Sequence, residues 1–256
     1  MKELYCPAVL RPYVERACNE IDFALSNISS PPIEARTLSH TEIADSLSTF
    51  AERINNDGLD QTVKSFAKAG CLEEKFVLRA ASRRDLALNN SIATGKFFVD
   101  GDYLIALGHL QEKQAEPLWI GIISFELGLP SSHYIVKETG FTAPLPLIVQ
   151  VQGAARWSYD TDEKYTNAQE VLARLKWEKA LVTVLFRWAE ENSIPAVYLL
   201  PSSLNLYYHD GTEDRDVRLH MRYDVTAKRM GFKLQTNGLY RALIDVSSTR
   251  NGDIPN

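Results

Sequence analysis

Two short apolar runs held apart by a long amphipathic segment constrain this chain more than any other feature. Leu145 to Gln152 and Ala196-Val197-Tyr198-Leu199-Leu200 each suit a buried strand, and Glu163 to Asn192 between them reads as one helix. Runs without polar alternation fit strands covered on both faces. Neighbouring parallel strands cannot be joined by a tight turn, so a helix between two such strands is what a parallel pair requires. The expectation is a right-handed crossover that sets the two strands side by side. A further helix carries Tyr223 to Phe232, is stopped by Gly231, and leads into a third strand.

The chain has 256 residues, 45% of them hydrophobic, which is enough to bury a sizeable core. Its formal net charge is −5 and no basic run exceeds two residues, so the electrostatic footprint of a nucleic-acid binder is missing. Cys6, Cys18 and Cys71 are widely spaced and form no Cys-x-x-Cys, which points to reduced thiols in the cytoplasm. The segment Met1–Pro7 lacks an apolar stretch of signal-peptide length, and no apolar run is long enough to cross a bilayer. A soluble, cytoplasmic protein is expected. The histidines (His40, His109, His133, His209, His220) show no metal-ligand spacing. No Gly-x-Ser-x-Gly elbow, phosphate loop or Gly-x-Gly-x-x-Gly occurs.

The chain divides near residue 72. Before it, Pro12–Ser26 has apolar residues at helical spacing, and Ser29-Ser30-Pro31-Pro32 breaks the chain. Ser39-His40-Thr41-Glu42 has the form of a capping box for a helix with Ile43, Leu47, Phe50 and Ile54 on one face. A third helix is expected from Asp60 to Ala69, ended by Gly70. Residues 1–71 thus read as a helical extension that either packs on the main domain or serves a partner, another protein or a second copy. Residues 72–256 read as the main domain. Lys75–Arg79 is a strand, and Phe97–Val99 with Tyr103–Leu107 flank the turn signal Asp100-Gly101. Leu118–Leu127 is a central strand and Tyr134–Val136 a further one. Helices, then antiparallel strands, then alternating helix and strand make an α+β pattern.

The order of the last hundred residues resembles the C-terminal half of the GCN5-related N-acetyltransferase fold, a mixed twisted sheet flanked by helices. Arg79-x-Ala81 followed by Asp85-Leu86 is similar to the family's usual opening strand and first helix. The resemblance implies acetyl-coenzyme A as cofactor and an amine, on a small molecule or a protein, as acyl acceptor. The family holds the coenzyme's pyrophosphate on a Gln/Arg-x-x-Gly-x-Gly/Ala loop, and Gln150-Val151-Gln152-Gly153-Ala154-Ala155 fits that pattern. Gln150, Gly153, Ala154 and Ala155 are accordingly the cofactor-binding candidates, small residues letting backbone N–H groups reach an anion.

The resemblance also implies a tyrosine acid four residues before the Gly231-Phe232 stop, where this chain has Ala227. Tyr223, one turn earlier, is the candidate general acid. Alternatively, Tyr223, Ala227 and Met230 form the packing stripe of an amphipathic helix. Glu126, the one acid in the apolar central strand, is the candidate general base, or else an exposed strand-end carboxylate. The aromatic, acidic loop Tyr207–Asp214 shapes a pocket for a basic substrate or is a solvated loop. Two functions remain open: an N-acetyltransferase, and a binding or regulatory protein of the same fold that has lost coenzyme A.

Overall fold

The computed structural model describes residues 39–67, 75–83, 99–111, 116–153, 161–205 and 213–246. Its strands are β1 (Lys75–Ser82), β2 (Tyr103–Leu110), β3 (Leu118–Leu127), β4 (Pro146–Gly153), β5 (Ala196–Leu199), β6 (Lys233–Leu234) and β7 (Tyr240–Leu243). They form one seven-stranded mixed sheet in the order β1-β2-β3-β4-β5-β7-β6. The helices are α1 (His40–Asp57), α2 (Leu59–Lys64), α3 (Tyr134–Thr139), α4 (Asp162–Arg174), α5 (Trp177–Glu191), α6 (Glu213–His220) and α7 (Thr226–Arg229), with a π-helical turn at Met221–Val225. The fold is α+β, and β4 and β5 lie parallel as expected, Leu147 opposite Tyr198 and Ile148 opposite Leu199. All other strand pairs are antiparallel.

The sheet buries both faces. On β2, Tyr103, Ile105 and Leu107 enter the larger apolar cluster with α1, α2 and α5, while Leu104 and Ala106 turn to a smaller one. That alternation is the two-residue period of a strand. A separate cluster beneath α3 holds Leu129, Ile135, Phe141, Leu147 and Val149.

The capping box at Ser39 is complete: its hydroxyl accepts from Glu42 N at 3.3 Å, and the Glu42 carboxylate accepts from Ser39 N at 2.8 Å. The helix it starts buries Ile43, Leu47, Phe50 and Ile54. Asn55 accepts from Leu78 N at 2.7 Å and donates to Leu78 O at 2.8 Å, filling the outer edge of β1. The sequence division near residue 72 therefore falls between elements that share one apolar cluster. Pro12–Ser26, Pro31-Pro32, Gly70, Asp85-Leu86 and Phe97-Phe98 lie outside the described residues.

Three elements differ from expectation. The single helix over Glu163–Asn192 is two, because Leu175 turns to extended backbone (φ −106°, ψ 150°) and bridges Ala67. Lys176 N then donates to Phe66 O at 3.1 Å, a partner that a continuous helix would not leave it free to take. Tyr134–Val136 opens a helix rather than a strand, since His133 caps it and Gly140 ends it in the left-handed region. The strand after Phe232 is only two residues long; a turn at Gln235–Gly238 returns the chain to β7, which pairs with β5. No helix among the described residues is long and apolar enough to cross a membrane.

Candidate functional site

The site begins with a defect in β4. Ser124 pairs with Gln150 and Phe125 with Ile148, so Val149 has no opposite residue and β4 bulges there. On its other side β4 parts from β5 after Ile148, whose carbonyl accepts from Leu200 N at 2.9 Å. Where β4 parts from β5, the backbone groups that Val149 and Val151 turn to that side have no ladder partner on β5, and such groups must find others.

They find Tyr223. Its hydroxyl accepts from Val151 N at 3.0 Å and from Asn205 Nδ2 at 3.0 Å, and donates to Val149 O at 3.4 Å. Both lone pairs and the proton are thereby committed. Tyr223 is 2% exposed, and burial drives its phenol well above the ordinary range. It is delivered by the π-helical turn, a wider helical winding that recurs where a side chain must be placed out of α register. Ala227, at the position the resemblance assigns to the acid, is fully buried, and Met230 packs against the same cluster. Tyr223 and Ala227 thus lie in the packing stripe.

Beside this plug a cleft of about 130 Å³ is lined by Asp100, Glu126, His133, Tyr134, Ile135, Val149 and Asn205. Glu126 reaches it from the end of β3. Burial raises its carboxyl to about 8, helped by the charge of Asp102 and a hydrogen bond with it, and opposed by Arg83. Asp100, at the mouth, is raised by the same desolvation, again opposed by Arg83. His133 Nδ1 accepts from Ile135 N at 3.2 Å, and burial lowers the basicity of the ring. A neutral imidazole is thereby favoured, its proton on Nε2. Among the described residues no group of three or more His, Cys, Asp or Glu is placed to hold a metal.

Glu126 has a consequence for stability. Between about 4.5 and 8 the folded chain holds a proton there that the unfolded chain releases, so stability falls as pH rises through that window. Partial exposure to solvent reduces the effect to on the order of 1–2 kcal/mol. Denaturant titrations at pH 5 and pH 8.5 should show the loss in the wild type and a smaller one in Glu126→Gln. Equal slopes for both proteins would remove Glu126 from the account.

The other sequence candidates scatter. Gln150 is engaged within the sheet: its Oε1 accepts from Ser124 Oγ at 3.0 Å and from Asp100 N at 3.2 Å, and its Nε2 donates to Gln152 at 2.9 Å. Gly153 pairs across the sheet with Gly121, and the Trp177 indole lies over both. A Cβ at Gly121 would stand 2.7 Å from Trp177 Cε3, and one at Gly153 would stand 3.0 Å from Cζ2. Ala154 and Ala155 lie outside the described residues, as does most of the 207–214 loop.

Trp177 also exposes what the sequence reading missed. The helix that crosses directly to β5 is α5, and Arg174-Leu175-Lys176-Trp177-Glu178-Lys179 precedes and opens it. Laid on the coenzyme loop pattern from Arg174, the positions that need glycine are Trp177 and Lys179. Glu178 puts a carboxylate in the first turn; burial holds its carboxyl above the usual carboxylate range, while a hydrogen bond from its own backbone and then the charges of Arg222 and Arg229 oppose the rise. A second cluster also went unseen, although His220 and Asp224 are one turn apart: Asp224 accepts from Ser202 Oγ and, at 3.0 Å, lies against His220 Nδ1. With the carboxylate central rather than the imidazole, the serine–imidazole–carboxylate order of a nucleophilic triad is not formed here among the described residues.

No protein-family model matches this chain, and no curated protein matches it. Among solved structures it is similar to Arabidopsis thaliana NAA60 in complex with a bisubstrate analogue, at 15% identity and a TM-score of 0.30. That match covers 68% of this chain and all of the other.

Proposed function

We propose that this chain is a binding module with an acetyltransferase-like sheet that has given up coenzyme A and holds an amine-bearing ligand in the acidic cleft. The observation that carries the reading is the double closure of the place a coenzyme would need. Tyr223 takes the free backbone groups of β4, and Trp177 covers the Gly121–Gly153 pair. An extended ligand added beside β4 would have to displace the first, because edge recognition depends on free main-chain donors and acceptors. Its phosphates at the start of α5 would meet the Glu178 carboxylate. The cleft itself remains open, and Asp100 and Glu126 suit an ammonium group. Because Glu126 is protonated below about 8, an amine bound there displaces its proton, and affinity rises with pH.

A second reading rests on Glu126 alone. A carboxyl raised to about 8 is a stronger base than a free carboxylate, and its ionised fraction, which grows as pH approaches 8, is able to take a proton from an amine, as an N-acetyltransferase using acetyl-coenzyme A requires. Thermal unfolding with acetyl-coenzyme A separates the two. A ligand at a hundredfold its dissociation constant adds about 2.7 kcal/mol, or roughly 5–10 °C for a domain of this size. The expected result is an unchanged midpoint at millimolar acetyl-coenzyme A. A shift of that size, with acetylation of an added amine, would move the protein to the enzyme reading.

A further inference from the structure

We infer that Gln150 and Ser124 are positioning residues that clamp the Asp100–Gly101 backbone onto β3 and β4 and so aim Asp100 into the cleft. The inference rests on the binding role proposed for that cleft and adds to it the residues that shape its charge. Gln150 and Ser124 are buried polar side chains, 6% and 0% exposed, directly opposite one another in the β3–β4 ladder. Buried polar groups inside an apolar sheet are costly unless paired, and these are paired toward one short stretch of backbone. Gln150 Oε1 accepts from Asp100 N at 3.2 Å and from Ser124 Oγ at 3.0 Å, while Ser124 Oγ accepts from Gly101 N at 3.1 Å. Gln152 accepts from Gln150 Nε2 at 2.9 Å and fixes which end of the amide faces the turn.

Gly101 completes the clamp. A Cβ there would stand 2.8 Å from the Phe125 backbone nitrogen and oxygen, so the turn lies flat on β3 only because it has no side chain at that point. Two consecutive amides are thus gripped by two side chains from two strands. Asp100 stands at the cleft mouth as a result, on the same cleft as Glu126.

Two measurements on the full chain test this. The first needs no ligand: amide hydrogen exchange at Asp100 and Gly101. Gln150→Leu should speed exchange at Asp100 by at least about tenfold, and Gln150→Glu, which keeps the acceptor oxygen, should restore protection. Protection at Asp100 that survives Gln150→Leu in a folded protein overturns the clamp. The second is a double-mutant cycle with putrescine as probe, read by calorimetry. Asp100→Asn and Gln150→Leu should each weaken binding by about tenfold, and the double variant should lose little more than either. Additive losses would mean that Gln150 acts on the protein generally and not through Asp100, which overturns the inference. If wild-type protein binds no putrescine, the amine reading fails, and the clamp is decided by the exchange result alone.

Discussion

A fragment beginning at residue 72 is expected to lack cooperative tertiary structure. Its loss would remove α1 and α2, which bury Ile43, Leu47, Phe50, Ala51, Ile54, Leu59 and Val63 in the cluster that also contains Phe76, Leu78, Tyr103 and Trp188. Each fully buried aliphatic or aromatic side chain stabilises by about 1.5–3 kcal/mol, so the deficit exceeds the roughly 5–15 kcal/mol that holds a typical domain folded. Polar partners go as well. Trp188 Nε1 donates to Ser46 Oγ at 3.1 Å, and Arg187 donates to Thr62 Oγ1 at 2.6 Å. Near-ultraviolet circular dichroism and a denaturant titration of residues 72–256 check this. A sharp transition with a midpoint near that of the whole chain would show that the helices are an accessory layer after all.

Trp177→Ala is expected to cost about 3–5 kcal/mol, the range for truncating a buried aromatic side chain. The indole is 5% exposed and fills the slot above Gly121 and Gly153. Gly121→Val attacks the same contact from below and should destabilise by about 1–3 kcal/mol through overpacking. If the two groups compete for one volume, the double variant will be more stable than the sum of the single losses predicts. Strict additivity, measured by urea unfolding, would mean that Gly121 is required for some reason other than the indole.

Which parts of this architecture were legible depended on whether the information was local. The β4–α5–β5 crossover was, because two unalternating apolar runs and a helix between them admit few arrangements. The capping box at Ser39 and the stop at Gly231 were also legible, each being a short pattern with its own backbone consequence; Gly231 has φ +81°. The break at Leu175 was not, since it depends on Ala67, more than a hundred positions away. Residues 134–136 look like a strand by propensity, and the cap from His133 together with the stop at Gly140 makes them helical.

For the candidate site, Glu126 stands out in the sequence as one acid within an apolar run, and the structure places it on the cleft. Gln150 stands out by a motif, and its hydrogen bonds to Ser124, Asp100 and Gln152 depend on neighbours that the motif does not name. Glycines at 121 and 153 carry no sign in the sequence that a tryptophan will cover them. The Tyr223 hydroxyl bonds were invisible for a similar reason: they arise from a bulge at Val149 and a π-helical turn, and neither has a sequence signature.

The Asn55 carboxamide on Leu78 bears on how this protein behaves in company. A primary amide offers the same donor and acceptor as a peptide unit, and here it occupies the outward-facing pair at the middle of β1. A strand from another molecule cannot lengthen the sheet past that point without evicting it, and exposed edges are where such recruitment starts. The opposite margin is β6, two residues long and carrying Lys233. Among the described residues, the β1 margin is therefore closed at Leu78, and crowding the protein in solution should not seed growth of the sheet from that point.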